Sequence, residues 1–151
     1  MKIFFDTCAI VDYLCNRKEA QLVDEILSNA EAKEWECFIS VGSFYTLTYL
    51  LELHLKRNGF SDKEQRIGKL REILEGILDT FAIADIYGED LMLSIKDSSF
   101  MDLEDCYQYH AAIAVSCNWL VTININDFKN ANMDNIKIGS PSDFLKSVKG
   151  K

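Results

Sequence analysis

Five carboxylates stand where they could do chemistry together. Asp6 directly follows a short apolar run, KIFF, and directly precedes an apolar stretch with helical spacing. Asp102, Glu104 and Asp105 cluster where the segment DLEDCYQYHAAIAV begins, and Asp127 lies in VTININDF close to Asn124. A single carboxylate at a helix start is commonly a cap, because it satisfies free N–H groups and complements the helix dipole. The set asks for more. Asp6 and Asp127 both fall just past apolar, β-forming runs, so a parallel sheet would bring them to one edge. Carboxylates brought that close repel one another unless a cation sits among them. An oxygen-rich cluster without His or Cys suits a hard cation such as Mg²⁺ or Mn²⁺. Such a cation lowers the pKa of a water molecule and stabilises charge on a phosphoryl oxygen, which is the chemistry of phosphodiester hydrolysis.

The apolar pattern predicts the elements that would position these groups. KIFFD reads as a buried strand, after which Asp6 or Thr7 caps a helix carrying Ile10, Val11 and Leu14. A helix follows over 18–33, then a strand, ECFIS, over 36–40. VGSFYTLTYLLELHLKR reads as a long amphipathic helix ended by Asn58-Gly59. Ser61 and Asp62 open the next helix, with Ile67, Leu70, Ile73, Leu74 and Ile77 on one face. A third strand is expected over 81–86, helices over 88–97 and 103–116, and strands over 119–123 and 136–140. Ser140-Pro141 starts a last helix, with proline in the first turn where its missing N–H costs nothing. Strands alternating with helices imply an α/β fold, a three-layer α/β/α arrangement with a mostly parallel central sheet. Ligands of such folds bind outside the carboxyl ends of the strands, where Asp6 is expected.

Composition narrows the function classes. A chain of 151 residues reads as a single domain spanning 1–151, long enough to bury about two thirds of its extended surface. The five cysteines form no CxxC pair and read as reduced, mostly buried small hydrophobes, which places the chain in the cytoplasm. No apolar run is long enough to span a membrane, and Asp6 interrupts the N-terminal run too early for a signal peptide. The net charge of −8 argues against non-specific duplex binding. A polyanionic substrate then needs a divalent cation or a local basic patch. Lys56, Arg57, Lys63, Arg66, Lys69 and Arg71 supply either such a patch or an ordinary solvated helix face. GxxxxGK and GxGxxG are both absent, which disfavours nucleotide-cofactor enzymes. An aspartyl-nucleophile phosphohydrolase generally needs a second acid two residues after the first; here that position is Cys8.

Taken together, FFDTCAIVDYL, FISVGSFYTLTYLL, DLEDCYQYHAAIA, LVTININDF and IGSPSDFL resemble a PIN domain over nearly the whole chain. That fold occurs in the toxin ribonucleases of bacterial toxin–antitoxin pairs and in RNA-processing factors. The resemblance implies metal-dependent cleavage of RNA by an endoribonuclease. Asp6, Asp105 and Asp127 would be acidic metal-site residues, Mg²⁺ or Mn²⁺ the cofactor, and Asn124 a neutral neighbour. An RNA substrate, an antitoxin protein and a homodimer are the partners it implies. The family usually carries an acid on the helix after the second strand, where this chain has Thr46, and an asparagine where it has Cys8. Glu52 does not replace the missing acid, being about 240° further round the helix. Asp102 or Glu104 could supply the charge; otherwise the chain is a weakened PIN-like module that binds RNA or protein. Thr46 alternatively reads as a half-buried hydroxyl bonded back to its own helix. Thr7 and Thr122 could orient carboxylates or phosphates, and equally could be strand-end hydroxyls. His54 and His110 fall on different helices and are not expected to form a catalytic pair. For Tyr107, Tyr109, Trp35 and Trp119, packing is the expected role.

Overall fold

Alternate residues of a β-strand point to opposite faces, and here both faces are buried. In the computed structural model, which describes residues 1–150, β1 (Lys2–Phe5) lies at the centre of a five-stranded sheet. It is flanked by β2 (Glu36–Ser40) and β4 (Trp119–Val121), with β3 (Ala82–Ala84) and β5 (Lys137–Gly139) at the edges. Every pairing is parallel, in the order β3-β2-β1-β4-β5. Ile3, Phe5, Cys37, Ile39, Trp119 and Val121 enter one core. Phe4, Phe38 and Leu120, one position out of phase, enter the other.

Helices cover the two faces unequally. The first core is closed by α1 (Thr7–Leu14), α2 (Ala20–Ala32), α3 (Val41–Arg57), α4 (Lys63–Thr80) and α7 (Pro141–Lys149). The second is closed by α6 (Leu103–Ala114) and the 3₁₀ turn at Ile125–Phe128, with α5 (Gly88–Lys96) packed against α6. The result is a three-layer α/β/α fold, as the alternation of elements predicts.

The expected elements all form, several of them shorter than their apolar pattern. The third strand covers 82–84 rather than 81–86, because edge strand β3 pairs only with Phe38–Ser40. Strand four stops at Val121 rather than 123, and β5 keeps 137–139, where their mutual register ends. The second helix begins at Ala20, not residue 18, and α6 ends at Ala114 before Ser116, whose φ of 56° breaks the helix. The aromatic residues pack as expected: Trp35 and Trp119 both meet the Phe144 ring edge-on, and Tyr109 stacks against Phe100 and donates to the Asn132 carbonyl at 2.7 Å. The basic run from Lys56 to Arg71 is not one patch. Arg66 is buried, bonded to the Phe60 and Ser61 carbonyls at 3.1 Å and to Glu52 at 3.4 Å, so it staples the α3–α4 turn.

One buried polar network ties the layers together below the sheet edge. Ser40 caps α3 by accepting from the Ser43 N–H at 2.9 Å. The Ser43 hydroxyl reaches Gln108 Oε1 on α6 at 2.9 Å, Ser40 Oγ reaches the same oxygen at 3.1 Å, and Thr7 Oγ1 lies 2.6 Å from Ser43 Oγ. All four residues are buried, so each bond is shielded from water and each missing partner is costly. Gln108→Leu leaves two hydroxyls without their acceptor. The expected loss is about 1–3 kcal/mol of stability in urea unfolding, with Gln108→Glu recovering part of it; a Leu variant as stable as the parent would show that water replaces the amide.

Candidate active site

Strand alternation decides which way the polar groups at the sheet edge face. Asp6 and Thr122 continue the phase of Phe4 and Leu120, the residues that face α6. Because Phe5 and Val121 are directly paired, Asp6 and Thr122 leave their strands side by side. The Thr122 hydroxyl donates to Asp6 Oδ2 at 2.8 Å, and Cys8 Sγ donates to the same oxygen at 3.0 Å. The Asn124 N–H donates to Thr122 Oγ1 at 3.0 Å, which fixes the hydroxyl from behind. Asp6 stands at the N-cap of α1, yet its carboxylate makes no capping bond. The cap expected of Asp6 or Thr7 is therefore not what holds Asp6 here; its carboxylate is turned into the site. Asp6 is 3% exposed. Burial raises its carboxyl above the ordinary range, the Cys8, Thr122 and Thr7 hydrogen bonds oppose that rise, and the charge of Asp127 adds to it.

The second part of the site comes from the start of α6. Asp102 is the N-cap, its Oδ1 accepting from the N–H groups of Glu104 at 2.8 Å and Asp105 at 3.3 Å. Asp105 occupies the first turn. Burial, then the charges of Asp6, Asp102, Asp127 and Glu104, push its carboxyl up to about 7. Asp127 lies in the 3₁₀ turn after β4, where its N–H donates to the Asn124 carbonyl at 3.0 Å. A pocket of about 420 Å³ joins these groups, lined by Asp6, Thr7, Thr46, Asp102, Glu104, Asp105, Asn124 and Asp127 among others.

The tertiary structure thus places eight of the nine residues singled out from the sequence around one cavity. The ninth, Thr122, stands behind Asp6. Thr46 lines the pocket, and it is Thr48 rather than Thr46 that bonds back to its own helix, at the Phe44 carbonyl, 2.9 Å away. Glu52 points away and pairs with Arg66. Sequence reasoning missed Cys8, Asp12 and Arg17 as lining residues. Cys8, two residues after Asp6, was visible as a departure from the family triplet; Arg17 carried no pattern and reaches the pocket from the loop after α1. The Cys8 thiol is pushed up to about 12, chiefly by burial and then by the Asp6 charge, so it serves as a hydrogen-bond donor.

The donor set fits a hard divalent ion: carboxylates, an amide and hydroxyls, with burial and mutual repulsion that a cation would relieve. Among the described residues, the pocket acids do not lie within 4.8 Å of one another as a group of three. Mg²⁺ keeps several waters and takes few direct protein ligands, so it does not require the acids to be in mutual contact. A pH dependence follows. Asp6 and Asp105 are raised in the folded chain, so folding binds protons that the unfolded chain has released. The contribution of Asp105 to metal-free stability is full below the ordinary carboxyl range and is lost as pH rises through about 7, and that of Asp6 is lost in the same direction. The melting temperature of chelator-treated protein should therefore fall over that window, and Asp105→Asn should flatten the slope; an unchanged slope would mean that folding does not raise the Asp105 carboxyl.

The PIN domain family matches residues 2–126 of the chain. No curated protein sequence matches it. Among solved structures, the chain is similar to one in the crystal structure of VapBC2 from Rickettsia felis bound to a DNA fragment from their promoter. The two share 21% identity and a TM-score of 0.60, the likeness covering 93% of this chain and 98% of that one. At that identity the likeness speaks to the fold. The family match spans most of the chain and includes Asp6 and Asp105: this protein belongs to the PIN domain family.

Proposed function

We propose that this PIN domain is a metal-dependent endoribonuclease, acting as the toxin of a toxin–antitoxin pair. The observation that carries the reading is a carboxylate buried at the sheet edge, Asp6, within electrostatic reach of Asp105 and Asp127. Such a group is stable only with a proton or a cation beside it. Asp6, Asp105 and Asp127 hold the ion, and Asp102 and Glu104 add charge at the rim. When bound, Mg²⁺ or Mn²⁺ supplies positive charge for the phosphoryl oxygens and lowers the pKa of a water molecule. Thr122 and Cys8 keep Asp6 pointed into the pocket, and Asn124 offers a neutral amide to the substrate. Arg17 lines the pocket wall, and its guanidinium is the group proposed to meet a phosphate of an RNA strand.

The proposed setting is cytoplasmic, supported by five free thiols. Among the described residues, no helix is long and apolar enough to cross a membrane. An antitoxin protein is a proposed partner, supported by the likeness to the VapBC2 structure. A homodimer is supported by the exposed apolar residues of α5, Leu91, Met92, Leu93 and Ile95. Thr46 on the pocket wall favours a second reading, an RNA- or protein-binding module whose site holds metal weakly.

Asp6→Asn should abolish Mn²⁺-dependent cleavage of single-stranded RNA while leaving the melting temperature of the metal-free protein unchanged or higher, because carboxylate repulsion is relieved. Retained cleavage would exclude the nuclease reading at this site, and a large drop in melting temperature would make Asp6 chiefly structural. Thr46→Glu adds an acid to the wall of the pocket and should tighten Mn²⁺ binding in calorimetry and raise cleavage. Lower cleavage in a folded variant would give the hydroxyl a role of its own.

A further inference from the structure

On the side of α6 facing α5, away from the acid pocket, three other ligand types converge. Cys106 and His110 are four residues apart on α6 and so share one face of it. Asp97 immediately follows α5, and its Oδ2 lies 2.9 Å from His110 Nε2. The sulfur, nitrogen and oxygen atoms of Asp97, Cys106 and His110 all lie within 4.8 Å of one another. We propose that these three residues form a second cation site, for a borderline divalent ion of the Zn²⁺ type, that pins α5 to α6.

The chemistry of the set selects the ion. One thiolate, one imidazole and one carboxylate suit Zn²⁺ or Co²⁺ in tetrahedral coordination, whereas the all-oxygen pocket suits Mg²⁺ or Mn²⁺. The surroundings are already arranged to orient the ligands. The Ser99 N–H and hydroxyl bond Asp97 Oδ1 at 3.0 and 2.5 Å, which leaves Oδ2 turned toward His110. The Tyr109 ring meets the His110 ring edge-on at 5.1 Å and limits its rotation. Cys106 is fully buried and contacts the Ser94 carbonyl at 3.3 Å, while the Asp97 and His110 side chains are 23% and 17% exposed. Two of the three ligands are thus reachable from solvent, and a water would complete the fourth position of the ion. Without the ion, a hydrogen bond from His110 Nε2 to Asp97 Oδ2 occupies the gap; with it, the imidazole binds as the neutral tautomer with its hydrogen on Nδ1, so that Nε2, Oδ2 and Sγ each take a coordinate bond and the thiol proton passes to solvent. Asp105 directly precedes Cys106, so an ion here steadies the turn that carries a pocket acid.

The test is titration of the full chain with Co²⁺, free of other divalent ions, followed by absorption. A sulfur-to-cobalt charge-transfer band with intense tetrahedral d–d bands should appear, and Zn²⁺ should bleach both. The bands should survive in Cys8→Ser and Asp6→Asn, which alter the acid pocket, and vanish in Cys106→Ser. His110→Gln and Asp97→Asn, at partly exposed positions, should each weaken Co²⁺ binding by roughly tenfold or more, which keeps the test decisive if Cys106→Ser does not fold. Absence of a thiolate band overturns the proposal. So does a band that persists in Cys106→Ser or is lost in Cys8→Ser, or an affinity untouched by His110→Gln and Asp97→Asn.

Discussion

A carboxylate that is 3% exposed, at the carboxyl end of the central strand, is the constraint around which this molecule is organised. Burying a charge without compensation costs several kcal/mol, and a protein ordinarily answers with a cationic partner. Here the partners of Asp6 are a hydroxyl and a thiol, both neutral donors. They bond one of its two oxygens, Oδ2, without neutralising the group, and the neighbouring charge that acts on it is another acid, Asp127. Asp105 reports the consequence, its carboxyl held at about 7 by burial and by the charges around it. The site is hydrogen-bonded yet electrostatically unfinished, and such a site is poised for a cation.

The fold makes that arrangement tolerable. The chain runs outward from β1 through β2 to β3 and then crosses to β4 on the other side of β1, so the crevice at the carboxyl ends of β1 and β4 is a topological switch point, and helices begin there rather than end. Both α1 and α6 direct their N-termini at the acids, and the positive ends of their dipoles offset part of the repulsion. Beneath, the Thr7, Ser40, Ser43 and Gln108 network joins α1, α3 and α6, the elements that carry most of the pocket wall. The polar bonding that holds the site is therefore distributed over segments more than a hundred residues apart.

Electrostatics also frames how an acidic protein could hold RNA. With a net charge of −8, the chain offers no general attraction for a polyanion. The one sequence run that resembled a basic patch is broken by Arg66, which is spent inside the α3–α4 turn, and by Lys69, which pairs with Glu72 at 3.4 Å. Arg17 is the basic residue on the pocket wall. Recognition under the proposed function would rest on few contacts close to the ion rather than on a broad charged face.

How much of this was legible beforehand differs by kind of information. Strand and helix identity followed from residue patterns: KIFF and ECFIS as continuous apolar runs, α3 from its helical spacing and the Asn58-Gly59 stop. Both depend on neighbours within a turn or a pleat, which the chain carries locally. Boundaries were less legible, because β3 ends where its pairing with β2 ends, not where Ile86 ceases to be apolar. At the site, the acids stood out by type and by their place after apolar runs. Their standing as caps or pocket groups did not, since Asp102 and Asp6 look alike in sequence and only one caps its helix. The bond from Thr122 to Asp6, the Gln108 hub and the meeting of Asp97 with His110 join residues far apart along the polymer or on separate helices. The sequence by itself determined which groups are available and which segments are helix or strand. Only the tertiary structure decided which carboxylate is buried and beside what, because burial and long-range charge depend on how layers pack, and no local spacing encodes that.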